Sequence, residues 1–297
     1  MRIVLAVDGS SSSMHARDLV ASQPWPHGTS VTLLTAYDIP ATWLGEGAMA
    51  GDWLADAEEG LRRDAEASLV ALAAPLDHPG WSIDRQVVRG RTASVILAVA
   101  DALDADLIVL GSRGHGPIAT MLLGSVSAEV AEQARCSVLV ARGPWVSRVL
   151  VATDGSECAS VIPEVLADWT AFKGLPAVAL SVTPVDSPAF ELLVSLYTLG
   201  SEPLEAQREA LRELHRQHAS TMAQRLSERG IPARAEVRGG DAAHEIIVAA
   251  ADSGADLVVT GSRCLHGLDR WLLGSVARNV LLHTAASVLI VRRIWRR

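Results

Sequence analysis

The chain has 297 residues, 49% of them hydrophobic, a net charge of −8 and a single lysine, Lys173. That length supports two ordinary domains, each with its own core, and the acidic balance excludes a protein that grips nucleic acid through phosphates. No apolar run approaches the roughly 18–20 residues of a membrane helix, and Asp8 interrupts the opening MRIVLAVDGS where a signal peptide would stay apolar, so a cytoplasmic protein with no membrane partner is expected.

The chain opens with a strand at Ile3–Val7 that runs into Asp8-Gly9-Ser10, followed by a second strand at Val31–Ala36. A long excursion, Tyr37 to about Leu76, begins irregular with Pro, Gly and Trp and ends as a charged amphipathic helix; Glu58, Glu59 and Asp64 read there as a solvated face. A third strand is expected at Ile83–Val88, then a helix with the apolar stripe Ala93, Ile96, Leu97, Ala100 and Leu103. The fourth strand, Leu107–Leu110, runs into the glycine-rich stretch GSRGHGPIATMLLGSVS, and a fifth is expected at Ser137–Ala141.

After GPWVS, Gly143–Ser147, the text repeats. IVLAVDGS from Ile3 returns as VLVATDGS from Val149; DADLIVLGSRG from Asp104 returns as GADLVVTGSRC from Gly254; LLGSVS from Leu122 returns as LLGSVA from Leu272. A period near 150 residues is a whole domain rather than a solenoid unit, giving domains at 1–143 and 148–297 with the joint between them. Strands of the second copy fall at Val149–Thr153, Val178–Val182, Ala233–Val237, Leu257–Thr260 and Ser287–Val291, with an excursion from Pro184 to about Leu226. His218 lies on the helical stripe Leu211, Leu214, His218, Met222 and reads as a packing residue. Short apolar strands alternating with helices define an α/β fold, here two repeated domains, each with a five-stranded parallel sheet flanked by helices.

In each copy the glycine stretch joins the end of strand four to the start of a helix. Glycines let backbone approach an anion, and a helix N-terminus supplies free N–H groups and partial positive charge. Ser125 either caps that helix or donates to a phosphate. Asp8 at the end of strand one would share the crevice at which an open parallel sheet binds ligands, contacting adenosine hydroxyls or amine, or a divalent cation. His115, in the loop, reads as an exposed residue without a role. GxxxxGK[ST], a GxGxxG after the first strand, GxSxG, HExxH and HxGH do not occur, and no catalytic residues or metal ligands can be named. The cysteines, Cys136, Cys158 and Cys264, show neither a disulfide framework nor zinc spacing, so reduced thiols are expected. The terminal RRIWRR reads as a solvated tail.

The spacing Gly111, Gly114, Gly124, Ser125 is G-x2-G-x9-G-[ST], and with the VAxDGS-like openings, ADLIVxGSRG and the closing SVLVxR it resembles the universal stress proteins in their tandem form. The resemblance implies sheets of order 3-2-1-4-5, ATP bound with or without Mg2+, and closing strands, Val138–Val140 and Val288–Ile290, that pair the domains within the chain or pair two chains. Carried over by position, the ATP contacts are Asp8, Ala36, Gly111, Gly114, Gly124 and Ser125 in the first copy and Asp154, Gly261, Gly274 and Ser275 in the second. Cys264 stands where the first copy has Gly114, while Gly267 keeps that loop pliable. If the position needs positive φ, a Cβ costs on the order of 1–2 kcal/mol, which predicts one strong site and one weak. The function expected is a nucleotide-dependent regulatory module of the stress response and not an enzyme. The alternatives are a slow ATPase or phosphoryl or nucleotidyl transferase, and a scaffold without nucleotide.

Overall fold

The computed structural model describes residues 1–38, 51–114, 123–186, 204–262 and 273–292; His115, Cys264, Gly267 and residues 293–297 lie outside them. Two compact units form, Met1–Ser22 with Pro26–Trp145, and Gln23–Trp25 with Val146–Arg297.

In the first unit β1 (Arg2–Ala6), β2 (Ser30–Tyr37), β3 (Ser82–Arg89), β4 (Leu107–Gly111) and β5 (Ser137–Ala141) form a parallel sheet of order β3-β2-β1-β4-β5. Helix α1 (Ser11–Ser22) packs along β4 and β5, and α2 (Gly51–Ala73) along β2 and β3. Helices α3 (Thr92–Ala102) and α4 (Ser125–Gln133) pack on one another and on the sheet. Covered strands have no reason to alternate polar and apolar residues, and every residue of β4 and β5 is buried. The order reverses between β1 and β4, which opens a crevice at their carboxyl ends.

The second unit repeats this plan with β6 (Val149–Ala152), β7 (Ala177–Thr183), β8 (Ala233–Gly239), β9 (Leu257–Gly261) and β10 (Ser287–Val291), parallel in the order β8-β7-β6-β9-β10. Its helices are α5 (Glu157–Ser160), α6 (Ile162–Trp169), α7 (Leu204–Glu228), α8 (Ala242–Ser253) and α9 (Ser275–His283). Where the first unit has one helix after its first strand, the second has two, because Pro163 in the first turn of α6 has no N–H with which to continue α5.

All ten expected strands form, with ends displaced by at most two residues. Of the expected α7 stripe, Met222 is buried and Leu211 and His218 are half-buried, while Leu214 is 43% exposed; the buried seam also takes in Ala219, Ala223 and Leu226. The carboxylates of α2 are partnered rather than merely solvated, Glu59 by Arg62 at 2.7 Å and Glu58 by Arg89 at 3.0 Å. Arg292, the first residue of the basic terminus, is buried. Cys136 is a free, buried thiol, but Cys158 is disulfide-bonded, which corrects the expectation of reduced thiols throughout. Among the described residues no helix is long and apolar enough to cross a membrane.

Candidate functional site

At the β1/β4 crevice lies a cleft of about 240 Å³ lined by Asp8, Ala36, Gly111, Gly114, Gly124 and Ser125, so all six residues expected at the first site meet there. The Asp8-Gly9-Ser10 turn is held by its own carboxylate, which accepts from the Ser10 N–H at 3.0 Å through Oδ1. Turn and site are therefore compatible readings of the same aspartate. The Ser10 hydroxyl donates to the carbonyl of Arg113 at 3.2 Å, clasping the glycine loop to the end of β1. Loop closure is completed by the Gly124 N–H donating to Ser112 O at 2.7 Å and the Ser127 hydroxyl donating to Gly111 O at 2.7 Å.

Two glycines of the loop are required by close approach. A Cβ on Gly111 would lie 2.5 Å from the carbonyl carbon and 2.6 Å from the carbonyl oxygen of Ser12, pressing β4 into the backbone of α1. A Cβ on Gly114 would collide with Oδ2 of Asp8. Gly114 is not among the residues with positive φ, so the backbone reason expected for glycine at this position is replaced by a spatial one: it leaves room for the carboxylate.

Gly124 is the N-cap of α4 and no side chain caps the helix. Ser125 is thus not the cap, and the N–H groups of Ser125, Val126 and Ser127, all lining the cleft, are those that an α-helix leaves without internal partners. Together they present a concentration of backbone donors and partial positive charge in the same cleft as Asp8. Residues missed in the sequence complete the wall: Thr92 and Ile96 from α3, Leu34 from β2, and Ser13 from α1. Their signal was the repeat itself, since Leu180, Ala242 and Ile246 occupy the matching places in the second unit.

The second cleft, about 290 Å³, is lined by Asp154, Gly261, Gly274 and Ser275, which brings its four expected residues together. Asp154 accepts from the Ser156 N–H at 3.0 Å, as Asp8 does from Ser10. The copies differ in what surrounds this frame. A Cβ on Gly261 would lie 3.0 Å from the carbonyl oxygen of Cys158, and one on Gly274 would meet nothing within 4 Å. Ser12 and Ser13 of the first unit are replaced by Cys158 and Ala159. The Cys264 position lies outside the described residues.

The model of the universal stress protein family matches residues 1–142 and again 146–292. The chain belongs to that family. A universal stress protein of Mycobacterium tuberculosis, Rv2005c, is 29% identical over 305 residues, covering 98% of this chain and 96% of its own. One from Thermus aquaticus is 33% identical over 141 residues, 47% of this chain and 97% of its own. Among solved structures, a universal stress protein of Archaeoglobus fulgidus superposes with a TM-score of 0.63 at 17% identity, covering 98% of this chain and 96% of its own. A putative one of Pseudomonas aeruginosa gives 0.61 at 18% identity, covering 98% and 92%. Those two likenesses are of fold. The family model matches each five-stranded unit once, so the chain carries two copies of it in tandem.

Proposed function

We propose that this universal stress protein is an ATP-binding regulatory module whose first unit holds the nucleotide. The observation that carries the reading is the pairing of Asp8 with Gly114 beside an uncapped helix N-terminus: the missing Cβ leaves room for a carboxylate in the same cleft that the first N–H groups of α4 line. An adenine nucleotide has the matching polarity, with phosphates for the α4 terminus and hydroxyl or amine donors for Asp8. Ala36 at the end of β2 supplies the edge for the base. Mg2+ fits only as a companion of the phosphates, because among the described residues no group of three or more His, Cys, Asp or Glu forms a metal site; Asp8 and phosphate oxygens would hold it, and it would neutralise phosphate charge.

The charged residues lining this cleft, among the described ones, are Asp8 and Arg113. Occupancy would then act by changing conformation or partner choice. The test is extraction of purified protein with acid and separation of the released nucleotide, followed by calorimetric titration with ATP. Bound adenine nucleotide and a site lost in Gly114→Val support the reading; a protein that neither carries nor binds ATP overturns it in favour of a scaffold.

A further inference from the structure

We propose that the second cleft is a proton-coupled nucleotide site, in which two histidines of α7, His215 and His218, back the turn that carries Asp154. This rests on the nucleotide reading above and assigns the second copy a regulation that the first does not share.

The Ser181 hydroxyl donates to the carbonyl of Thr153 at 2.9 Å. Its one proton is thereby used, so the 2.8 Å contact between Ser181 Oγ and His215 Nδ1 has the imidazole as donor. The imidazole is thus fixed to Ser181 of β7 and, through it, to Thr153, one residue before Asp154, with Nε2 left to take up a proton. His218, one turn further along α7, lies with its ring centroid 5.6 Å from that of His215. Its ring sits against Gly155, where any Cβ would overlap it, and its Nδ1 is buried without a hydrogen-bond partner. A protonatable pair therefore supports both sides of Asp154. Counted back from Gly80 and Gly230, the same register of α2 carries Ala65 and Ser68.

The groups acting on His215 are, in order, its own burial and His218, which hold its pKa below the usual histidine value, and Asp154, which opposes them. Other charges near α7 are engaged elsewhere: Glu164 of α6 pairs with Arg225 at 2.7 Å, and β8 turns Arg238 toward Asp252 of α8 at 2.9 Å. Glu157 of α5 is exposed. A nucleotide entering the cleft brings the negative charge of its phosphates, which favours the imidazolium form. Binding then takes up a proton, and affinity rises as pH falls through the pKa of His215. A rise of about one pKa unit on binding limits the gain to about tenfold.

The experiment is titration of the full chain with Mg-ATP at pH 8 and pH 5.5, for the natural protein and for His215→Asn/His218→Asn, with both folds checked by thermal melting. The first site is an internal control for protonation of ATP itself. Second-site affinity should rise severalfold to about tenfold at the lower pH, and the double variant should lose that rise while the first site is unchanged. In parallel, long-range proton–nitrogen NMR should show the His215 imidazole protonating at higher pH when ATP is added. Second-site binding with the same pH dependence in the variant, or imidazoles indifferent to ATP, overturns the coupling alone. Absence of second-site binding at either pH overturns the nucleotide reading of this cleft and the coupling with it.

Discussion

Replacing Gly114 with alanine separates the site from the scaffold. The new Cβ collides with Oδ2 of Asp8, but Asp8 is exposed and its carboxylate can rotate away. Strain is thus relieved at little cost to the fold, and stability should change by less than about 1 kcal/mol. What is lost is the carboxylate's position. Hydrogen bonds to a charged group contribute about 1.5–3 kcal/mol, which at about 1.4 kcal/mol per tenfold weakens ATP by roughly tenfold to a hundredfold. Gly111→Ala is the contrasting change. Its Cβ meets Ser12 backbone at 2.5 Å, and backbone within a helix cannot rotate aside, so β4 and α1 must part. Overpacking of that kind costs about 1–3 kcal/mol, or several degrees in Tm at roughly 2–4 °C per kcal/mol for a chain of this size. Calorimetry and thermal melting on both variants decide. The reasoning is refuted if Gly114→Ala binds ATP like the parent, or melts as far below it as Gly111→Ala does.

Gly155→Ala should destabilise the second unit by more than about 2 kcal/mol, since positive φ and displacement of the His218 ring add; a melting curve unchanged from the parent counts against the packing of that ring. Thiol titration of denatured protein should find one reactive cysteine before reduction and three after, given the free Cys136 and bonded Cys158; three before reduction would remove the disulfide. Calorimetry should find one tight ATP per chain and a second site that tightens in Cys264→Gly, whereas two equal tight sites in the natural chain would make the cysteine a tolerated variation. Residues 1–143 alone should dimerise through the apolar closing strand, and a monomer by light scattering at tens of micromolar would refute that pairing.

Strands and clefts were legible because they rest on patterns of local spacing. A run such as LIVL or SVLV has one stable fate in a sheet covered on both sides, and the duplicated order of elements left a single α/β plan. Asp8 and the glycines were legible as a set because Asp8 and Gly111 stand at strand ends, where a parallel sheet gathers its carboxyl termini, and Gly124 opens the helix that follows. The physical reason for Gly114 was not. Sequence suggests backbone conformation for any glycine, but a carboxylate more than a hundred residues earlier becomes its neighbour only through β1–β4 pairing. One position of the α7 stripe was misread: Leu214 fits the apolar period but is exposed, while the seam runs through Met222 as expected, with Ala219 and Leu226 beside it.

The second copy keeps the frame of the site and changes its supports. Asp154 repeats the turn of Asp8, and Gly261, Gly274 and Ser275 line the second cleft as Gly111, Gly124 and Ser125 line the first. Behind that frame, Ala65 and Ser68 of the first unit become His215 and His218, and Ser12 becomes a bonded Cys158. Neither exchange is needed to build the sheet, because Ala65 and Ser68 serve in the first unit with the same strand order. Histidine and cysteine are the side chains whose charge or bonding changes within physiological ranges of pH and redox poise. A duplicated site that retains its binding frame and acquires such groups beside it has the physical means for its two occupancies to diverge as conditions change, which a pair of identical sites would lack.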